Sequence, residues 1–384
     1  MNEAGYLRVA IVGCGKIADA HLEQIRRTAG CQLVGACDSE LLMARQACER
    51  FGIPQAFENV QDMLATCRPD VVHITTPPQS HYPIARACLE AGCHVYVEKP
   101  FALNFQEAES LVGLANQRGV KITVGHDLQF SHAARRMRER VSRGYLGGMP
   151  VHMESYYCYD LSDTHYARVF LADKEHWVWR LPGGLLQNVM SHGIARIAEF
   201  MVGDDPEVVA VGSTSHVMRD LGGGDLIDEL RVIIMSCAGQ SAYFTFSSQM
   251  KPPLNQFRIY GERNGLILDE DEQSIISLRG RRYKSYAQRF VPPITFACQH
   301  FGNLLGNASR FMLNDFHMKA GLRCLIQLFY EAVRYGVPLP IPYREILLTM
   351  RIMDSILSQL NSGRPRTCSP GSMVQQKADG NTEV

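Results

Sequence analysis

The chain has 384 residues, with 39 Lys+Arg against 39 Asp+Glu, 46% hydrophobic and 20% charged. That is a globular composition for two or three domains and excludes a disordered chain. Zero net charge argues against a nucleic-acid partner, and no apolar run reaches the roughly 18 residues of a membrane-spanning helix. The run Arg135, Arg136, Arg138, Arg140 and Arg143 reads as a solvated helix face. Met1 to Leu7 is too short and too polar for a signal peptide. The 12 cysteines include no C-x-x-C pair and no zinc spacing. They read as reduced thiols of a cytoplasmic protein.

Short apolar runs alternate with amphipathic stretches up to about residue 125. Strands are expected at Leu7–Val12, 32–37, 71–75, His94–Val97 and 121–124. Helices are expected at 19–27, Leu41–Phe51, 82–91 and Phe105–Arg118. This is the signature of βαβ units and a doubly wound parallel sheet, an α/β Rossmann domain over residues 1–127. A basic helix at 133–143 and a glycine-rich turn follow. Longer alternating strands then come in succession at 151–158, 208–216, 230–236, 241–248, 256–260 and 265–268, with one helix at 185–201. Strands without intervening helices predict a large, mostly antiparallel open sheet in an α+β domain over residues 128–361. Helices at 294–312, 315–335 and 343–360 close the chain, the last of them packing back on the first domain. The polar segment 362–384 reads as a disordered tail.

The first strand runs into Gly13-Cys14-Gly15-Lys16-Ile17-Ala18, a G-x-G-x-x-A turn that opens a helix. Gly13 permits the tight turn, Gly15 lets backbone approach a pyrophosphate, and the small Ala18 lets helix pack on strand. The helix start, with Lys16 and Ile17, faces the phosphates. Asp38 ends the second strand, where a carboxylate can bond both ribose hydroxyls of NAD and repel a 2′-phosphate. No Arg follows it, so NAD is favoured over NADP. Thr75, Thr76, Pro77 and His81, after a later strand, are candidates for the nicotinamide side.

The fingerprint, the T-x-P-x-x-x-H segment at Thr75 to His81, and Glu98-Lys99-Pro100 after the next strand together resemble the Gfo/Idh/MocA oxidoreductases. Gly183-Gly184 through His192 is similar to that family's G-G-x-x-x-D-x-G-x-H segment. The resemblance covers about residues 7–360. It implies cofactor and substrate meeting between a Rossmann domain and an open-sheet domain. It also implies assembly through that sheet's outer face, as a homodimer or homotetramer. It carries contact with substrate and cofactor to Lys99, beside Glu98.

Moving a hydride between a carbinol and nicotinamide requires a proton acceptor and a group that stabilises the alkoxide. Lys99 leaves the parallel sheet at its carboxyl end, where such sheets bind ligands. Asn188 and His192 are four apart on one helix, and a histidine there can take a proton near neutrality. Lys99, His192 and Asn188 are thus the candidate catalytic set. Tyr156, Trp179 and Arg180 join them as substrate-side candidates suited to a sugar ring. Three departures from the family pattern stand out. Asn188 replaces an Asp, Met190-Ser191 replaces a small residue, and Gln129 replaces a basic one. The leading expectation is an NAD-dependent oxidoreductase for a sugar, sugar derivative or polyol. Two alternatives remain open. One is an enzyme that keeps NAD for transient oxidation during elimination, epimerisation or glycoside cleavage. The other is a non-catalytic dinucleotide-binding sensor of the same fold.

Overall fold

The computed structural model describes residues 6–160, 176–224, 226–284 and 286–362. The tail read from 362–384 lies outside them except for Ser362, which ends the last helix. No helix among the described residues is long and apolar enough to cross a membrane.

The first sheet is built from β1 (Leu7–Val12), α1 (Lys16–Arg26), β2 (Cys31–Cys37), α2 (Leu41–Phe51), β3 (Ala56–Phe57), α3 (Val60–Cys67), β4 (Val71–Ile74), α4 (His81–Glu90), β5 (His94–Val97), α5 (Phe105–Arg118) and β6 (Ile122–Val124). All six strands are parallel, in the order β3-β2-β1-β4-β5-β6. Helices cover both faces, so the strands are apolar on both sides: Val9, Ala10, Ile11, Val71, Val72 and Val95 have no exposed surface. β3 and α3 were not expected. A two-residue strand has no readable period, and α3 owes its start to the Asn59 side chain, which caps the N–H groups of Gln61 and Asp62.

Register places the site. Val12 is level with Cys37 and Ile74, Ile74 with Val97, and Val97 with Val124. The chain therefore leaves neighbouring strands at one edge through Gly13, Asp38, Thr75, Glu98 and Gly125.

After α6 (His132–Ser142), the second sheet is formed by β7 (His152–Tyr157) and, following α7 (Gly184–Phe200), by β8 (Glu207–Ser213), α8 (His216–Asp220), β9 (Glu229–Met235), β10 (Ser241–Ser247), β11 (Asn255–Tyr260), β12 (Asn264–Asp269) and β13 (Ser274–Arg279). The order is β13-β12-β11-β7-β10-β9-β8, antiparallel throughout except for the β7–β10 pair. Burial alternates along these strands, because one face lies on α7 and the other faces outward. The edge strand β13 was not expected. The stretch expected at 208–216 stops at Ser213, because Ser215 caps α8 through Met218 N–H.

α9 (Ala287–Met312), α10 (Ala320–Tyr335) and α11 (Tyr343–Ser362) follow. α9 begins seven residues before the expected 294, carrying Pro292 and Pro293 within it. α11 packs against α5, α7 and β8. It accepts from Phe105 N–H through Asp354 (2.6 Å) and from Ile122 N–H through the Tyr343 hydroxyl (3.2 Å). On its other side Arg344 donates to the Met201 carbonyl (2.9 Å) and Gln359 to that of Val208 (2.8 Å).

α7 is buried almost all round, and Gly193 is where it touches the sheet: a Cβ there would overlap the Phe244 ring of β10. Gly193→Ala must push the helix or the ring aside. Overpacking of this kind costs about 1–3 kcal/mol, and urea unfolding of the variant should show a loss in that range.

Candidate active site

A cleft of about 840 Å³ runs along the strand edge, lined by Gly13, Gly15, Lys16, Ile17, Asp38, Thr75, Thr76, Pro77, Glu98, Lys99, Trp177, Asn188 and Lys319, among others. Gly13 has φ +90°, and a Cβ on it would lie 2.7 Å from Thr76 N. Gly15, by contrast, has nothing within 4 Å of where its Cβ would be. The first glycine is thus required by the fold, and the second faces open space at the α1 N-terminus. Ala18 is fully buried between α1 and the sheet. The Asp38 carboxylate accepts from Cys14 N–H (2.6 Å) and Glu40 N–H (2.9 Å). It holds the glycine turn against β2 and keeps lone pairs for further donors. Thr75 donates its hydroxyl to Gly13 O (2.6 Å), while the buried Thr76 hydroxyl has no partner among the described residues. His81 does not line the cleft. Its two ring nitrogens lie 2.9 Å from the carbonyls of Thr76 and Pro100, and it ties those two loops together. Open backbone at a helix N-terminus, a carboxylate at the end of β2 and an orphan hydroxyl between them fit a dinucleotide.

Beyond the cradle, Lys99 Nζ donates to Asn188 Oδ1 (3.1 Å) and Asn188 O (3.3 Å). Burial draws the Lys99 pKa down and Lys319 adds to this, while Glu98 and Asp127 oppose it; the result lies below the ordinary lysine value. Asp127, in the turn after β6, is pushed up to about 6 by burial and by Glu98, against the pull of Lys319 and Lys99. Lys319 reaches the cleft because Gly321 seats α10 on the Asp127 carbonyl, where a Cβ would collide.

His192 stands apart from this lining. It is buried one turn beyond Asn188, with ring centroids 5.9 Å from His126 and 5.7 Å from Tyr157. Its Nδ1 has no partner among the described residues. Burial, then Lys99 and His126, hold its pKa well below the ordinary histidine value.

Behind Lys99 a hydrogen-bonded chain runs through the core. Glu98 Oε1 meets His21 Nε2 (2.9 Å), His21 Nδ1 meets His73 Nδ1 (2.9 Å), and His73 Nε2 meets the Tyr330 hydroxyl (2.8 Å). Burial alone would raise the Glu98 carboxyl, but the His21 hydrogen bond, with the Lys99 charge and backbone N–H, holds it below the usual range. With both imidazoles neutral, one proton arrangement satisfies every contact. Tyr330 donates to His73, His73 to His21, and His21 to the Glu98 carboxylate.

Three substrate-side expectations need correction. Tyr156 points to the outer face of the sheet, where its hydroxyl lies 3.1 Å from Glu154 and Arg258 stacks on its ring. Strand parity decides this: the next residue, Tyr157, is the one turned inward toward His192. Trp179 packs on the Met218–Leu226 cluster, and Trp177 lines the cleft instead. Arg180 is exposed and does not line it. Sequence reasoning also missed Asp127, Lys319, His21 and His73. Asp127 carried one signal, a carboxylate at the carboxyl end of a parallel strand; Lys319 carried none.

Residues 7–126 match the family described as oxidoreductases with an NAD-binding Rossmann fold, Gfo/Idh/MocA. The match takes in about a third of the chain, and through this region the chain is similar to the Gfo/Idh/MocA oxidoreductases. It is 35% identical over 142 residues to D-glucoside 3-dehydrogenase of Escherichia coli, covering 37% of this chain and 40% of that protein. It is 20% identical to myo-inositol 2-dehydrogenase of Thermotoga maritima over 72% of this chain and 81% of that one. The WlbA dehydrogenase of Bordetella pertussis, solved with NADH and UDP-GlcNAcA, shares the fold at TM-score 0.73 and 18% identity, over 94% of this chain and 96% of that one. The chain thus spans about two fifths of the glucoside dehydrogenase, and the shared fold extends over nearly the whole of WlbA.

Gly13→Ala should weaken NADH binding by about tenfold or more, roughly 1.4 kcal/mol, through strain at φ +90° and the clash with Thr76. Fluorescence titration measures it, and the unfolding midpoint, which the same strain lowers, is read alongside to show that the variant is folded at the titration temperature.

Proposed function

We propose that this protein is an NAD-dependent oxidoreductase that moves a hydride to or from a ring carbon of a sugar, sugar derivative or polyol. The observation that carries the reading is Lys99: a half-buried lysine lining the cleft beside the dinucleotide cradle, its pKa drawn down, hydrogen-bonded to Asn188. The names of the relatives support a polyhydroxylated ring as substrate, since a glucoside, an inositol and a nucleotide-linked sugar acid recur among them.

NAD, when bound, supplies the hydride acceptor. The chain supplies the rest. Gly13, Gly15 and the α1 start, with Lys16 and Ile17, hold the diphosphate. Asp38 takes the ribose hydroxyls, and Thr75 and Thr76 with Pro77 line the nicotinamide side. Lys99 Nζ, as the neutral amine, accepts the substrate hydroxyl proton during oxidation and returns it during reduction. The ammonium so formed is held by Glu98, Asp127 and the two Asn188 oxygens. Glu98 stays anionic because the histidine chain behind it points its donors at that carboxylate. His192, buried one turn past Asn188 behind the cleft lining, has an Nδ1 without a partner among the described residues. It is the second group that a substrate hydroxyl reaching past Asn188 would bond: an orphan buried nitrogen is costly until something bonds it. Asp38, with Ser39 and Glu58 beside it and no arginine in the lining, sets the preference for NAD over NADP.

Lys99→Ala should lower kcat by about 10²–10⁴-fold while leaving NADH affinity nearly unchanged; full turnover in this variant would refute the assignment. The pH profile tests the electrostatics. Oxidation rises with pH as Lys99 loses its proton. The Asp127 charge, present above about pH 6, raises the Lys99 pKa. Asp127→Asn therefore moves the limb to lower pH, and Asn188→Asp, which adds a charge at 3.1 Å, moves it to higher pH. A limb that ignores both changes belongs to another group. For the cofactor, NADH should bind more tightly than NADPH in side-by-side titrations, and Asp38→Ala should narrow the gap.

A further inference from the structure

We propose that α9 is a contact surface for a second copy of this chain, paired antiparallel about Phe301. This helix is amphipathic in the reverse of the usual sense. Its inner face is polar. Gln299 donates to Ser277 O (3.2 Å) and accepts from Ser277 N–H (2.7 Å). Asn303 bonds the carbonyl and N–H of Ile275 (3.1 and 3.4 Å), and Asn307 donates to Glu272 O (2.9 Å). These amides, four residues apart, satisfy the free backbone of the edge strand β13, which is how an open sheet edge is covered. The apolar face is left pointing outward.

That outer face has a definite pattern. Phe290, Ile294, Ala297, Phe301, Leu304, Ala308 and Phe311 are all exposed, the five large ones between 61% and 73%. Their spacing alternates between four and three residues, the seam of a helix that packs against another helix. A monomer rarely leaves so large a contiguous apolar patch in water.

The order of residues along the seam selects the occupant. Turned end for end about Phe301, the series meets itself large against small. Ile294 faces Ala308 of the second copy, Ala297 lies between Leu304 and Leu305, Phe290 lies between Phe311 and Met312, and Phe301 meets Phe301. A parallel pair would stack alanine on alanine twice and leave gaps. The seam is thus self-complementary, as a two-fold isologous contact requires. The helix has 26 residues; at 1.5 Å per residue it is about 39 Å long. With Leu305 and Met312 flanking the seam, it offers roughly 800 Å² per copy, the size of a stable interface. The chain's own segment 363–384 is a poor cover, since it holds no aromatic residue, leucine or isoleucine. This surface lies at the β13 edge and differs from the outward sheet face that the family resemblance points to.

The test is the mass of the full chain in solution at micromolar concentration, by light scattering or sedimentation. Phe301→Glu should halve the assembly mass with far-UV circular dichroism unchanged, because the side chain is exposed in the single chain, and the wild-type melting temperature should fall toward that of the variant on dilution. Phe301→Cys, made with Cys237→Ser and Cys298→Ser, should form a covalent dimer on mild oxidation, because residue 301 sits on the two-fold axis and meets its own copy. A wild-type monomer, an assembly indifferent to Phe301→Glu, or a cysteine at 301 that stays uncrosslinked would each overturn the proposal.

Discussion

The level ends of the parallel strands are the constraint on which this molecule is built. β1, β2, β4, β5 and β6 stop in register, so five chain exits open side by side along one edge. Each contributes one kind of chemistry: a glycine turn, a carboxylate, threonine hydroxyls, the Glu98–Lys99 pair and Asp127. Small contacts keep these exits level. Thr75 bonds the Gly13 carbonyl, Asp38 bonds Cys14 N–H, and His81 bridges the loops that end in Thr76 and Pro100. The binding edge is thus cross-tied before any ligand arrives, which is what preorganisation means in atomic terms.

The second constraint is charge held out of water. Glu98, Lys99, Asp127 and Lys319 interact in a small volume, each shifting at least one of the others. None could be buried alone at tolerable cost. Together they set the proton affinity of Lys99 between opposing influences, so one charge added or removed nearby moves it. Asn188 belongs to this balance. An amide at that position accepts from Lys99 Nζ without adding a negative charge, which leaves the lysine more ready to give up its proton than a carboxylate there would.

Much of this was legible in the sequence, for local reasons. A strand running into G-x-G-x-x-A, an acid at the next strand end and Glu98-Lys99-Pro100 each fix their own geometry within a few residues. They also sit where the parallel topology must bring them together. What stayed hidden depends on parity or on distant packing. Whether Tyr156 or Tyr157 turns inward toward His192 depends on a single step along β7. Trp177 and Trp179 differ by two residues in a short turn whose direction is set by the helix that follows. His73 reads as a strand residue until Tyr330, 257 positions later, is found against it. Lys319 has no pattern around it at all; it reaches the cleft because Gly321 allows α10 to settle on the Asp127 carbonyl.

The last helix has its own mechanical meaning. Asp354 and Tyr343 hold α11 to the nucleotide-binding half, while Arg344 and Gln359 hold it to the other half. It works as a splint across the joint. The two halves cannot swing apart like jaws without breaking bonds made by α11. The splint also spans the joint where Lys99 of the first half meets Asn188 of the second, 3.1 Å apart. Removing the splint would loosen the geometry of chemistry that its own side chains never touch.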